Sequence, residues 1–189
     1  MKLSKSLYTR AIQCQKSLWL KKHNKDVLTP PNSAAQAIFE NGNEVGDLAC
    51  KLFPNGVEIP YLNTTFQDKI DLTQEYINQG TQNIYEATFE FDGILIMIDI
   101  LNIKDNSVII NEVKSSTQVK DIYLHDASIQ YYVLNGLGYD VKKVNIIHIN
   151  NEYVRDEELD INQLFSIVYV TYEVKELQVN IKNNLEIFR

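Results

Sequence analysis

The change of hydrophobic period at Ile84 constrains this chain more than any other feature. Before it, apolar residues recur at helical spacing. After it, three runs, "IYEATFEF", "ILIMIDIL" and "SVIINEVK", alternate with a period of two. Turn signals at Asp92-Gly93 and Lys104-Asp105-Asn106 separate them, so they read as a meander of consecutive strands. A helix is expected from Asp121 to Leu137, with Leu124, Ala127, Tyr131 and Leu134 as its inner stripe, followed by a fourth strand over Val141–Asn150. A meander followed by a helical crossover predicts an α/β fold, a mixed central sheet flanked by helices.

The N-terminal part reads as helical. Leu7, Ala11, Cys14 and Leu18 share one helix face, with Ser4 as a cap, and "TPPN" (Thr29–Asn32) ends that region. A second helix is expected over Ser33–Phe53, with Ile38, Val45, Ala49 and Leu52 on one side, and a third over Phe66–Asn78. After Ile161 the pattern is helical towards its end, where Leu177, Ile181, Leu185 and Phe188 form an apolar seam suited to a partner or a second copy. No Gly/Ser linker interrupts the 189 residues, so one domain is expected: a helical part at 1–53, a core at 84–150 and a C-terminal helix at 161–189.

Composition excludes several classes. The longest aliphatic run, Ile94 to Ile98, is too short to span a bilayer, and the N-terminus lacks a signal-peptide core. Membrane association is therefore not expected. Two cysteines, Cys14 and Cys50, make neither a disulfide framework nor a four-thiolate metal site, which points to a reducing, cytoplasmic setting. His23, His125 and His148 are dispersed, and no glycine-rich phosphate loop is present. The net charge is −7, yet the first 25 residues hold seven basic side chains and no acid. Such a segment suits either phosphate binding or a solvated helix face.

The charges that stand out lie on the strands. Residues two apart share a face, so Val108, Ile110, Glu112 and Lys114 fall on one side, and Asp99 falls with Met97 and Leu101. Both faces begin apolar. Neighbouring strands are about 4.8 Å apart, so Asp99 and Glu112 converge if the hairpin register allows it. Two converging carboxylates repel unless a cation lies between them, and Mg²⁺ takes oxygen ligands with few protein donors. The Val113 carbonyl lies between the side chains and is a further donor. Lys114 would then orient a water or neutralise a phosphoryl oxygen, which is metal-assisted phosphodiester hydrolysis. A salt bridge among Asp99, Glu112 and Lys114 satisfies the same pattern.

Asp99 followed by Glu112-Val113-Lys114 on the next strand, with Gln130 on the helix after it, resembles the PD-(D/E)XK nuclease superfamily in its RecB-like exonuclease branch. That branch includes nucleases associated with CRISPR adaptation. "LSKSLYTRAIQCQKSLWL", "FENGNEVGDLACKLFPNGVEI", "EVKSSTQVKD", "SIQYYVLNGLG" and "HINNEYVRDEELDINQLF" resemble a RecB-like subfamily as well, so the likeness runs along nearly the whole chain. It implies a restriction-endonuclease-like core and a Mg²⁺- or Mn²⁺-dependent nuclease acting on DNA in repair, recombination or defence. Asp99, Glu112 and the Val113 carbonyl would be metal ligands, and Lys114 the catalytic lysine. Gln130 would support the site or contact DNA. Glu86 resembles an acid that precedes the metal aspartate, and a surface strand residue fits it equally. Ser115 and Ser116 would donate to a DNA backbone or cap the following helix.

Two positions depart from the family pattern. Gly46 stands where many relatives carry a metal-binding histidine, in Gly42-Asn43-Glu44-Val45-Gly46. Glu44, Glu40 or Asp47 replaces it, or the metal has fewer protein ligands; Glu40 and Asp47 read more simply as a solvated face. Relatives with an iron–sulfur cluster use three cysteines near the C-terminus, and none follows Cys50 here. No cluster is expected, and Cys14 reads as a packed thiol. The competing expectations are a nuclease-derived DNA-binding or assembly module without cleavage, and a protein-interaction domain using the C-terminal seam.

Overall fold

The structure is a computed structural model that describes residues 2–30, 32–104 and 107–189. A seven-stranded mixed sheet forms its centre, flanked by helices on both faces. The meander is there as β3 (Asn83–Phe91), β4 (Ile94–Lys104) and β5 (Ser107–Lys114), paired antiparallel. Asp92 and Gly93 both take positive φ, 47° and 67°, which a two-residue turn between twisted strands requires. Most of the second expected turn, at Asp105-Asn106, lies outside the described residues. Helix α5 (Asp121–Gly136) crosses over to β6 (Asp140–Ile149), which runs parallel to β5.

Three strands escape the periodicity reading. β1 (Leu3–Ser4) pairs in parallel with Ile94 and Leu95 of β4, and β2 (Val57–Glu58) adds a parallel edge beside β3. β7 (Phe165–Tyr169) pairs antiparallel with β6, where a continuous helical region was expected from residue 161. There the chain makes a single turn, α6 (Ile161–Leu164), then β7, and only then α7 (Thr171–Phe188). The N-terminal helix is also divided, into α1 (Lys5–Gln13) and α2 (Gln15–His23), because Cys14 is extended at φ −164°. Cys14 is exposed rather than packed.

Two apolar clusters hold the layers together. The larger joins the sheet to α1, α5 and α7 through Tyr8, Ala11, Ala127, Val133, Val174 and Ile181. The smaller joins it to α3 (Ser33–Cys50) through Val45, Ala49, Ile100, Ile147 and Phe165. Ile38, expected on the inner stripe of α3, is 66% exposed, because only the second half of that helix reaches the sheet. Helix α4 (Phe66–Asn78) has the bounds its pattern predicts, with a reciprocal cap between Thr65 and Asp68. The buried arc of α5 is wider than a stripe, since the helix lies between the sheet and α1 and α7; Asp126, Ser128 and Gln130 are buried with its apolar residues. Along α7, Ile181, Leu185 and Phe188 are buried within this chain, so most of the seam is already covered. No helix among the described residues is long and apolar enough to cross a membrane.

Candidate active site

The sheet opens into a fork between β4 and β5. Their pairing runs from Lys104↔Ser107 to Ile100↔Asn111 and stops there. One residue further, Asp99 and Glu112 face each other across the opening. Val113 N–H, which has lost its partner strand, donates instead to Asp99 Oδ2 at 2.7 Å. A carboxylate thus replaces the missing backbone acceptor, so the fork fixes the Asp99 side chain. Beyond the fork, the edge of β4 is taken by β1 at Ile94 and Leu95. The chain leaves β1 directly into α1, capped by Ser4 Oγ accepting from Leu7 N–H, and this delivers Lys5 into the opening.

The alternation of side chains slips at the same level. In β4, Ile94, Ile96 and Ile98 belong to the larger cluster, and so does Leu101, while Ile100 belongs to the smaller. In β3, Ile84 is followed in the larger cluster by Ala87, with Tyr85 in the smaller. Asp99 therefore does not continue a simple Met97–Leu101 face. Between Tyr85 and Ala87, Glu86 takes φ 57°, a conformation few residues other than glycine adopt in mid-strand. That one residue carries the slip in β3.

Five charged side chains meet in the fork. Lys5 Nζ lies 3.1 and 3.0 Å from the two oxygens of Glu112, and 3.8 Å from both Asp99 Oδ1 and Asp126 Oδ1. Lys114 Nζ bridges Glu112 Oε1 at 2.7 Å and Asp126 Oδ2 at 2.6 Å. Gln130 Nε2 donates to Glu112 Oε2 at 2.6 Å and to the Asp126 carbonyl at 3.3 Å. Asp99, Glu112, Lys114 and Gln130 are thus brought together, and Lys5 and Asp126 join them without any sequence signal. Lys5 lies 94 positions from Asp99, so local pattern holds no trace of the pairing. Asp126 was hidden on the face of α5 read as outer.

The electrostatics follow from burial and crowding. Burial and the Glu112 carboxylate push Asp99 up to about 7, against the opposing pull of Lys5 and Lys114. For Glu112, burial acts upward but Lys114 and Lys5 overcome it and hold the carboxyl well below its usual range. Burial works to deprotonate Lys114, yet Glu112 and Asp126 hold its ammonium above the ordinary lysine value. Lys114 is therefore a fixed cation across the neutral range and not a base. Asp126 Oδ1 and Gln130 Oε1 are buried without hydrogen-bond partners among the described residues.

A cleft of about 990 Å³ opens over the fork, between α3 and β2–β5. Asp47, Glu58, Glu86, Asp99 and Glu112 line it, with Lys114 as its basic member. Burial pushes Glu86 up. Cys50 also lines the cleft; burial and the surrounding acids push its thiol up to about 12, which excludes a thiolate nucleophile near neutrality. Gly42, Asn43, Gly46 and Asp47 of α3 face the cleft, whereas Glu44 is exposed and does not line it. Asp47 is exposed like Glu44 but stands at the rim of the cleft, so of the two acids it is the nearer to the fork. The hydroxyl of Ser116 donates to the Gln118 carbonyl in a turn, and Lys120, which precedes α5, is its N-cap with no side-chain hydrogen bond, so neither Ser115 nor Ser116 caps it.

Among the described residues, no group of three or more His, Cys, Asp or Glu side chains is arranged to hold a metal ion. The donors the fork does offer are all oxygen: Asp99, Glu112 and the Val113 carbonyl. They would suit a hard divalent ion with few protein ligands once Lys5 gives way and the Lys114 and Gln130 contacts to the same carboxylate open. Asp99 is raised first by burial and only then by the neighbouring Glu112 carboxylate, and an ion between the two would relieve that second part.

No family model and no curated protein matches the chain. Among solved structures it is similar to the protein described as SSO0001, with a TM-score of 0.45 and 11% identity over 100% of this chain and 77% of that one. A likeness at that level bears on neither activity nor ligands.

Proposed function

We propose that the chain is a Mg²⁺- or Mn²⁺-dependent nuclease of the PD-(D/E)XK type, cleaving phosphodiester bonds of DNA in a cytoplasmic setting. The observation that carries the reading is the fork itself: carboxylates of adjacent strands converge with Lys114 and Lys5 at the floor of an acidic cleft. An acidic cleft repels a polyanion unless cations fill it, so a nucleic-acid substrate and a divalent ion are required together.

Asp99, Glu112 and the Val113 carbonyl would hold the ion, which would supply Lewis acidity toward the phosphodiester and a water. The rest is done by the chain's own groups. Lys114 Nζ, charged throughout the neutral range, neutralises charge that develops on the phosphoryl oxygens. Gln130 and Asp126 fix the orientations of Glu112 and Lys114. Val113 N–H anchors Asp99 from the opposite strand.

A second reading is favoured by Lys5 and Gly46. With both Glu112 oxygens engaged by Lys5 and no histidine on α3, the fork also suits a nuclease-derived DNA-binding or assembly module that has lost cleavage, any DNA then being held outside the acidic cleft. Incubating the chain with labelled single- and double-stranded DNA and Mn²⁺ separates the two. Metal-dependent cleavage that falls at least about 10²-fold in Asp99→Ala and Lys114→Ala is expected of the nuclease. Binding without cleavage assigns the module.

A further inference from the structure

Away from the fork, a cavity of about 380 Å³ lies between α2 and the last residues of α7. Lys16, Trp19, Lys22, His23, Phe188 and Arg189 line it. Lys22 Nζ is closed off from solvent there and has no hydrogen-bond partner among the described residues. Burial lowers its pKa, as expected for an ammonium without an anion. Beside it, Trp19 is 57% exposed, and its ring pairs with His23 at 5.2 Å between centroids.

Part of the basic N-terminal segment is committed elsewhere and part borders this cavity, while, among the described residues, Lys21 and Lys25 do neither. Lys5 is committed to Glu112 and Lys2 to Glu90, while Arg10 donates to Ser17. Lys16 and Lys22 form no ion pair among the described residues, and both turn to this cavity. Arg189, also on its wall, is held by Asp92. Lys22 is a half-buried side chain whose ammonium, unpaired among the described residues, suits an anion. An exposed indole within the same walls calls for a flat, stackable partner. Phosphate and base in one polymer supply both.

We propose that this pocket binds a phosphate–base unit of a single-stranded nucleic acid, with Lys16 and Lys22 on the backbone and Trp19 under a base. That the anion belongs to a strand rests on the functional reading above; the cation-lined aromatic pocket does not. Helix α1, about 14 Å long at its nine residues, separates the pocket from the fork along the chain, so this is a second contact for the strand and not part of the cleft.

Trp19 is the sole tryptophan, so its fluorescence reports on the pocket directly. The wild-type chain is titrated in EDTA with an oligothymidylate, with thymidine monophosphate and with inorganic phosphate. Saturable quenching by the oligonucleotide is expected. Its affinity falls at least tenfold in Lys16→Ala/Lys22→Ala, and the slope of log K against log salt falls by about 1.4, or 0.7 per lost phosphate contact. Lys16 is exposed, so Lys16→Ala alone keeps the fold and must reduce that slope by about 0.7. No quenching, or unchanged affinity and slope in the variants, overturns the proposal. Inorganic phosphate or the mononucleotide saturating at the oligonucleotide's concentration assigns a small-anion site and overturns the strand. Cleavage is read separately with Mn²⁺: a chain that cuts without quenching loses this inference alone, and one that quenches without cutting loses the nuclease reading alone.

Discussion

Lys5→Met removes one charge from the fork while keeping most of the side-chain stem. In the wild type, Lys5 Nζ is 3.0 Å from Glu112 Oε2 and 3.8 Å from Asp99 and Asp126. At an effective dielectric of about 20, unit charges at those separations attract by about 4–5.5 kcal/mol each before desolvation is counted. Much of that is offset by taking the ammonium out of water. Breaking a buried pair by removing one partner costs about 3–5 kcal/mol, because the remaining charge is stranded. Lys114 still serves Glu112 and Asp126, so the lower end applies, about 3 kcal/mol. For a chain of this size that loss lowers Tm by about 6–12 °C in the absence of metal.

A divalent ion reverses the ranking. In the wild type it competes with Lys5, Lys114 and Gln130 for the Glu112 oxygens; in Lys5→Met one of those competitors, the ammonium nearest Asp99 as well, is gone. If half of the lost stability returns as binding, Mn²⁺ affinity rises about tenfold, since about 1.4 kcal/mol is one decade. Melting curves with and without saturating Mn²⁺, with calorimetric titration for affinity, test both halves. The gap in Tm should narrow as Mn²⁺ is added. A metal-free variant as stable as wild type that also binds Mn²⁺ no more tightly would show that Lys5 does not occupy the cation's place.

Two further outcomes follow from the same geometry. Asp99 is raised from 3.8 to about 7, so the folded chain holds a proton there that the unfolded chain releases, and stability falls as pH rises between those values, by at most about 4 kcal/mol. A cation that replaces the proton reverses this, so the rise in Tm produced by Mn²⁺ should be larger at pH 8 than at pH 5.5; an equal rise at both argues that Asp99 is not a ligand. Gly46→His tests the departure on α3: a Cβ there meets no atom within 4 Å, and Gly46 faces the cleft. The added imidazole should tighten Mn²⁺ several-fold, seen by calorimetric titration, while Glu44→His, outside the cleft, should leave affinity unchanged.

The local periods carried a large part of this fold and a smaller part of the site. β3, β4, β5, α4 and α5 lie where alternation and helical spacing predict, because long, regular runs outweigh their surroundings. "FSIVY" did not read as a strand, since five residues between two helical patterns satisfy either period, and only pairing with β6 decides it. β1 and β2 are two residues each, below any pattern. Cys14 breaks a helix that has no proline or glycine to announce it. At the site, Asp99, Glu112 and Lys114 were legible because charges on apolar strands are conspicuous. Asp126 was not: it is one residue from the predicted stripe, and α5 is buried more widely than its pattern implies. That Asp47 and not Glu44 borders the cleft depends on the rotational phase of α3, which the sheet sets.

The fork explains why these failures gather in one place. A sheet that stayed paired would put Asp99 and Glu112 in register as a directly opposed like-charge pair, with Val113 N–H consumed by the ladder. Ending the ladder at Ile100↔Asn111 frees the opening that lets cations reach both carboxylates from α1. The same divergence requires β3 to follow β4, and Glu86 absorbs the offset at φ 57°, a strain of order 1–3 kcal/mol that the Tyr85↔Ile100 and Ala87↔Ile98 pairs on either side enforce. It also leaves the edge of β4 open for β1, so the first residues of the chain complete the site from the far end of the sequence. Strain at Glu86, the missing rungs and the N-terminal lysine thus gather around the same two carboxylates, Asp99 and Glu112.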